Sequence, residues 1–99
     1  MDKNQFATAF KNIEKYSDAQ CKIAEVLIEL EKDYEVTASV KYIIEKTNLT
    51  LPTVYNALKL FQKDKIILKN KNFQNTYTFN KERVQEIIDY YIKKKKLTV

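Results

Sequence analysis

Two β-prone runs directly behind an amphipathic helical segment constrain the fold of this chain more than any other feature. The runs are Ile66–Lys69 and Thr76–Phe79, both rich in β-branched and aromatic residues, and six residues rich in Asn and Lys separate them. This pattern predicts a β-hairpin with a polar, basic tip. Because the rest of the chain shows helical periodicity, the sequence predicts a mainly α fold with a small β-hairpin.

The segment before the hairpin, residues 50–63, is predicted to form one helix with two different faces. Val54, Leu58 and Phe61 recur at helical spacing and are expected to face the core. The outward residues carry hydroxyl, amide and ammonium groups, which suit contacts with base edges and phosphates in a major groove. A polar outer face is also normal on any surface helix. The outward residues are Thr53, Tyr55, Asn56, Lys59 and Lys63.

A compact helix is predicted just before it, over residues 40–47, with Ser39 as its N-cap. Asn48 lies where this helix must end and the chain must turn, so it is expected in the left-handed conformation that glycine usually adopts. Thr50 is expected to cap the second helix, and Pro52 is tolerated in its first turn. Helix, tight turn and helix form the helix-turn-helix pattern, although two short helices also meet in ordinary αα-corners.

Two further helices are predicted before this unit. The first covers residues 3–16 and shows an aromatic face. The second, residues 18–32, begins at Ser17, where Gln20 completes a capping-box pattern. Its wide apolar arc implies contacts with more than one neighbour. The segment Tyr34–Thr37 that follows is weakly β-prone and is expected to supply a short strand.

The last helix is predicted to run from its N-cap, Asn80, into the basic run Lys93–Lys96. A small domain has little core left to cover the apolar stripes of both terminal helices, so a homodimer is predicted in which they pack against their mates. The alternative is that the two helices pack on each other within one chain. The basic run is expected to be a solvated, frayed tail, with a phosphate-contacting arm as the alternative. The predicted dimerisation residues are Phe6, Phe10, Ile13, Val84, Ile87, Ile88 and Tyr91.

Length and composition limit the classes of protein. The 99 residues suffice for one domain, 1–99, and are too few for two cores. Within it we expect an N-terminal helix over 1–16, a central unit over 18–80, and a C-terminal helix with a basic tail over 81–96. There is no glycine at all, so turns that need a positive φ are expected to use Asn.

Residue types that are missing or rare narrow the chemistry further. The chain contains no histidine, which excludes His-based acid–base catalysis and the usual His/Cys zinc sites. Its one cysteine, Cys21, cannot form an internal disulfide and favours a reducing compartment. Neither a signal peptide nor a membrane-spanning segment is predicted, so we expect a cytoplasmic protein. No constellation of metal, cofactor or nucleophile groups is found, and we expect neither a cofactor nor enzymatic activity.

Charge is divided unevenly along the chain. Residues 1–35 contain eight acidic residues and five lysines, a net charge of −3, whereas residues 36–99 contain five acidic and thirteen basic residues, a net charge of +8. This division indicates that the second half would face a polyanionic partner. The densest basic part of the predicted domain is formed by Lys59, Lys63, Lys65, Lys69 and Lys71, opposed by Asp64 alone.

The order of elements over residues 18–80 resembles the winged helix-turn-helix DNA-binding superfamily, and in particular its MarR/ArsR-type regulators. Residues 49–61 have the pattern Leu-Thr-x-x-Thr-Val-x-x-x-Leu-x-x-Phe, and residues 65–67 are Lys-Ile-Ile. These are similar to the family's Leu-Ser, Thr-Val, Leu, Leu and Gly-Leu-Ile, and Asn48 and Lys65 stand where the family usually has glycine. The segment 36–79 also resembles the winged-helix module appended to Fic-type proteins, but the Fic catalytic motif is absent.

The resemblance and the charge pattern together predict sequence-specific binding to double-stranded DNA by a small homodimeric transcriptional regulator, with no effector identified. Thr50 and Thr53 are expected to anchor phosphates, and Lys69 and Lys71 to lie on the wing along the flanking backbone or minor groove. A replication or partition protein, or a protein-interaction module anchored by Tyr55 and Phe73, are the alternatives. The predicted DNA-binding residues are Ser39, Thr50, Pro52, Thr53, Tyr55, Asn56, Lys59, Lys63, Lys69, Lys71 and Asn72.

Overall fold

The computed structural model describes residues 1–97, which form five helices and one small antiparallel sheet. The predicted mainly α fold with a small hairpin is confirmed, and the segment after the second helix does form a third strand. The last two residues of the predicted domain, 98 and 99, lie outside the described residues. The elements are α1 Lys3–Asn12, α2 Asp18–Leu30, β1 Glu35–Thr37, α3 Val40–Thr47, α4 Leu51–Lys63, β2 Ile67–Lys69, β3 Thr76–Phe79 and α5 Lys81–Leu97.

The sheet has the strand order β1-β3-β2, so the hairpin strand β3 lies in the centre. Paired residues of neighbouring strands lie on the same face. Tyr77 pairs with Val36 on one side and Lys69 on the other, while Thr78 pairs with Glu35 and Leu68. Val36 and Tyr77 are buried, whereas the face formed by Glu35, Leu68 and Thr78 is exposed. One face of the sheet therefore covers the helical core, and the other faces solvent.

The terminal helices pack on each other within the chain, and an aromatic cluster connects α1 to the core. Phe10 stacks on Tyr16 with ring centroids 4.6 Å apart, and it meets Phe61 of α4 edge to face at 5.7 Å. Phe6 meets Phe79 of β3 in the same way at 5.8 Å. Edge-to-face and offset stacked pairs each add roughly 0.5–1.5 kcal/mol beyond the buried area. The helix α1 is thus an integral part of the core.

This packing corrects the prediction of which residues lie at a dimer interface. The expectation rested on terminal stripes left exposed, but α1 and α5 cover each other, as in the alternative. The apolar residues that stay exposed on α5 are Tyr90 and Ile92. Within the predicted set, Ile13 and Tyr91 are half-buried, and the others are buried in the single chain: Phe6, Phe10, Val84, Ile87 and Ile88.

Helix α1 ends four residues earlier than predicted. Its last residue is Asn12, and Glu14 adopts a left-handed conformation with φ 57°, which turns the chain away from the helix axis. The turn brings Tyr16 back onto Phe10, and Ser17 then starts α2 with the predicted capping box. The tertiary stacking of Tyr16 therefore outweighs the helical periodicity that continues in the sequence.

The chain has no glycine, and six residues within 1–97 take a positive φ, of which only two are asparagine. Asn48 has φ 60° and ends α3, as predicted. Lys65 has φ 58° after α4, where its N–H donates to the Gln62 carbonyl at 3.1 Å and the N–H of Ile66 donates to the Phe61 carbonyl at 2.9 Å. This pair of bonds is the Schellman motif. The expectation that Asn would serve all such turns is wrong, because Glu14, Asp33 and Tyr34 also take a positive φ. Asn75 is the second asparagine in this conformation.

The basic run Lys93–Lys96 belongs to the last turns of α5. Lys94 is paired with Glu14, with Nζ and Oε2 3.8 Å apart, so this part is not the frayed tail that was expected. Cations at a helix C-terminus also interact favourably with the helix dipole. Within residues 1–97, no helix is both long enough and apolar enough to cross a membrane.

Candidate nucleic-acid interface

The helix α4 is held by one apolar stripe and presents its opposite side to solvent. Val54, Ala57, Leu58 and Phe61 are buried against α2, α3 and β2. Three of these four residues were predicted from their spacing; Ala57 adds width to the same stripe. Burial of this stripe fixes which side chains of α4 face outward.

The outward side of α4 carries the predicted polar set. Tyr55 is 49% exposed, and Asn56, Lys59 and Lys63 are exposed as well. Tyr55, Lys59 and Lys63 follow each other at intervals of four residues, so they form one row along the helix, with Asn56 beside it. Within residues 1–97, neither Lys59 nor Lys63 takes part in an ion pair. Both ammonium groups are therefore free to meet an external anion.

The N-terminus of α4 is built differently from the prediction. Thr50 occupies the N-cap position, but its side chain makes no capping hydrogen bond. Its hydroxyl is instead 2.9 Å from that of Thr53, and Thr50 is exposed. The first-turn N–H groups consequently lack a side-chain cap, and Pro52 has no N–H to satisfy. Two hydroxyl groups and the positive end of the helix dipole thus lie together at an exposed helix end.

Ser39 is the N-cap residue of α3. Its Oγ accepts a hydrogen bond from the Tyr42 N–H at 3.0 Å, which is the predicted cap. The neighbouring residue, Ala38, donates its N–H to the Asn75 carbonyl at 2.9 Å. This bond places Ser39 next to the end of the loop that joins β2 to β3. The Ser39 oxygen accepts the bond from Tyr42, so a contact of Ser39 with a phosphate would use the O–H group as donor.

The hairpin lies beside the exposed side of α4. Burial, with a smaller contribution from the nearby Tyr55, raises the pKa of Tyr77. Strand β2 of the hairpin contacts α4 directly. Lys69 pairs with Tyr77 across the strands and lies on the same sheet face, at an exposed rim. The hairpin, whose strand β2 contacts α4, therefore adds Lys69 to the basic side chains that α4 exposes, a combination that sequence periodicity does not reveal.

The loop between β2 and β3 is shaped by Asn70, a residue that was not predicted to have a role. Its Oδ1 accepts hydrogen bonds from the N–H groups of Asn72 at 2.9 Å and Phe73 at 3.3 Å. This Asx-type turn leaves the side chains of Lys71 and Asn72 exposed, as the predicted site requires. In the part of the chain that the structure describes, Lys69 and Lys71 belong to no ion pair.

The C-terminus of α4 is fixed by Asp64, its C-cap residue. The Tyr16 hydroxyl donates to Asp64 Oδ2 at 2.7 Å, and Lys15 Nζ lies 3.6 Å from the same oxygen. Arg83 of α5 donates from Nε to the Asp64 carbonyl at 3.2 Å. These contacts join the α1–α2 link, α4 and α5 at one point. Sequence reasoning missed this role, because Tyr16 and Asp64 are 48 residues apart and only the fold brings them together.

The structure thus brings most of the predicted DNA-binding residues onto two adjoining elements, α4 and the hairpin. Ser39 lies at their border. Among the described residues, no group of three or more cysteine or acidic side chains is arranged to hold a metal ion. No protein-family model, curated protein or solved structure matches the chain.

Proposed function

We propose that this protein is a winged helix-turn-helix protein that binds double-stranded DNA in a sequence-specific way and acts as a small transcriptional regulator. The observation that carries the proposal is the set of polar and basic side chains exposed on the outward side of α4 and on the hairpin, whose strand β2 contacts α4. Four lysines on this surface, Lys59, Lys63, Lys69 and Lys71, have no ion-pair partner within residues 1–97. Lysines free of acidic partners can release the counterions of DNA when they meet its phosphates.

The order of elements supports the name given to the fold. Strand β1 lies between α2 and α3, and α4 is followed directly by the β2–β3 hairpin, to which β1 adds the third strand of the sheet. In this arrangement α4 is the recognition helix, and the hairpin is the wing. Asn48 and Lys65 take the positive φ that the resembled family usually obtains from glycine at these positions. Both turns are therefore formed although Asn48 and Lys65 replace the glycines that are usual in the resembled family.

We assign base reading to the middle of α4. A major groove about 12 Å wide admits a helix, and an amide can pair with adenine through two hydrogen bonds. Asn56 is exposed one turn into α4, where its amide has no hydrogen-bond partner among the described residues. Tyr55 and Lys59 flank it. The hydroxyl groups of Thr50 and Thr53 would hold a phosphate at the helix N-terminus, where the dipole also favours an anion.

The wing lysines supply affinity and orientation. An ammonium group acts as a point charge on a phosphate and carries no base preference. Lys69 pairs with Tyr77 in the hairpin, Lys71 lies in the loop that follows β2, and β2 contacts α4. With α4 in the major groove, this connection brings the wing to the flanking backbone.

A homodimer remains part of the proposal, but its contact surface must differ from the predicted one. The buried stripe of α5 is used inside the chain, so a second copy would meet the exposed Tyr90 and Ile92. A two-fold dimer of this kind would bind two half-sites about one helical turn apart.

Selection of bound duplexes from a random pool tests the function. The proposal predicts an enriched sequence, and a palindromic one if the protein binds as a dimer. An Asn56→Ala variant carried through the same selection serves as the matched control and should lose preference at one base pair. If neither protein enriches any sequence and a protein partner is instead recovered with Tyr55 and Phe73 at its interface, DNA reading is refuted in favour of an interaction module.

A further inference from the structure

The tip of the wing carries the most exposed large apolar side chain of the described residues. Phe73 is 66% exposed and takes part in none of the aromatic ring contacts among residues 1–97. Apolar side chains of this size gain roughly 1.5–3 kcal/mol when they are buried. An isolated phenylalanine at a loop tip therefore adds nothing to the core of this chain and is available to a partner.

The hairpin tip holds Phe73 in a defined place. Asn70 Oδ1 accepts from the N–H groups of Asn72 and Phe73, and the Asn70 N–H donates to the Thr76 carbonyl at 2.8 Å, closing the loop. Asn75 completes the turn with φ 60°. These bonds fix the backbone around Phe73 without using its ring. A loop backbone that is fixed before binding loses less conformational entropy when it meets a partner.

The chemical surroundings of Phe73 indicate the class of partner. From Lys65 to Lys81 the chain contains no acidic residue, and Lys69 and Lys71 flank the tip on the β2 side. An aromatic ring among cations suits a nucleic acid, whose bases offer stacking faces and whose phosphates attract the lysines.

We propose that Phe73 is a wedge that enters the minor groove beside the α4 site and partly unstacks one base step, which bends the duplex. This inference rests on the proposed DNA-binding function and adds a specificity-determining residue to it. Apolar wedges of this kind kink DNA by roughly 20–90°. The step opened by Phe73 is a pyrimidine–purine step, because TA and CA steps cost least to kink.

The same hairpin offers a matched control. Leu68 is 53% exposed, so it is comparable in size and exposure, but it lies on the outer face of the sheet, where Thr78 pairs with both Leu68 and the acidic Glu35. A carboxylate on that face disfavours contact with phosphates. Leu68→Ala removes a similar apolar surface without touching the proposed wedge.

The experiment measures affinity and bending together, on a duplex taken from the selected pool and labelled with a fluorescence donor and acceptor at its two ends. Phe73→Ala should weaken binding about 5- to 150-fold, the equivalent of the roughly 1–3 kcal/mol of one base–aromatic stack, and should leave the bound duplex straight. Phe73→Tyr should keep both the affinity and the bend, and Leu68→Ala should behave like the parent. Replacing the pyrimidine–purine step by a stiff A-tract should weaken the parent and leave Phe73→Ala unaffected.

The wedge is overturned if Phe73→Ala binds and bends the duplex as the parent does, while the proposed function stands because the parent still binds. It is also overturned if Phe73→Ala and Leu68→Ala weaken binding equally, since the loss would then reflect general apolar contact. Failure of the parent itself to bind any duplex removes the proposed function and the wedge together. Both side chains are exposed, so circular dichroism should show the parent's fold in every variant.

Discussion

Tyr16→Phe removes one hydroxyl group and leaves the aromatic ring in place, so it isolates the hydrogen bond to Asp64 at the end of α4. The Tyr16 hydroxyl donates to the Asp64 carboxylate at 2.7 Å, and Tyr16 is buried. Hydrogen bonds to charged groups contribute roughly 1.5–3 kcal/mol. Asp64 stays partly accessible and keeps Lys15 at 3.6 Å, so we expect a loss near the lower end, about 1.5–2 kcal/mol.

This loss is measurable by urea unfolding and by thermal melting. For a domain of this size, 1 kcal/mol corresponds to roughly 4–8 °C in Tm, so the variant should melt about 6–16 °C below the parent. Lys15→Ala is the control, because its side chain is half exposed and its ion pair is screened by solvent. It should melt near the parent. A Tyr16→Phe variant within about 2 °C of the parent would refute the role given to this hydroxyl.

The pH dependence gives a second readout of the same group. Burial, followed by the bond to Asp64 and its charge, raises the pKa of Tyr16 above the ordinary value of 10.0. Because the folded protein holds this proton more tightly than the unfolded chain, the contribution is fully present below pH 10 and is lost as the pH rises through the raised pKa. The parent should therefore lose stability above pH 10 more steeply than Tyr16→Phe. Some loss remains in the variant, since burial raises the pKa of Tyr77 and of Cys21 as well. Equal alkaline slopes would contradict the assignment.

Three further predictions concern base reading, phosphate anchoring and folding. Asn56→Ala should cost about 1–3 kcal/mol on the selected duplex and leave the salt slope unchanged, as measured by fluorescence anisotropy. Lys71→Ala should weaken binding to all duplexes alike and lower the salt slope by about one, and a change in base preference would contradict its role on the wing. Lys65→Gly should raise the free energy of unfolding by about 0.5–1 kcal/mol, because it relieves a left-handed lysine in the Schellman motif. Lys59→Gly, at an exposed position in the interior of α4, should instead lower it by about 1 kcal/mol in the same urea titration, and equal effects of the two would argue against strain at Lys65.

The central elements were predictable because their signals are local. The spacing of Val54, Leu58 and Phe61 fixes the buried side of α4, and the β-branched runs of the hairpin are visible over four residues each. Asn48 ends α3 in the conformation expected from its place at the turn. In each case the deciding interaction lies within about one turn of helix or one strand pair.

Interactions between distant segments were not predictable from the same patterns. An apolar stripe shows which face of a helix is covered but not what covers it, so the packing of α1 on α5 could not be distinguished from packing on a second copy. The predicted cap at Thr50 was also wrong, although it is a local feature. Thr50 occupies the N-cap position, but its hydroxyl is hydrogen-bonded to that of Thr53. The contact between Tyr16 and Asp64, and the proximity of Tyr55 to Tyr77, arise only when the whole core has assembled.

The claim that α4 and the hairpin form one DNA-binding surface is tested most directly by the salt dependence of affinity for two variants of equal charge. One variant replaces the four lysines of the proposed surface by alanine, and the other replaces four exposed lysines elsewhere, Lys11, Lys22, Lys32 and Lys93.

Each lost phosphate contact lowers the slope of log affinity against log salt by about 0.9. We therefore predict that the first variant loses most of its slope and its affinity, while the second keeps the parent's slope. Equal slopes for the two variants would show that only net charge matters, and would contradict a surface formed by α4 and the hairpin.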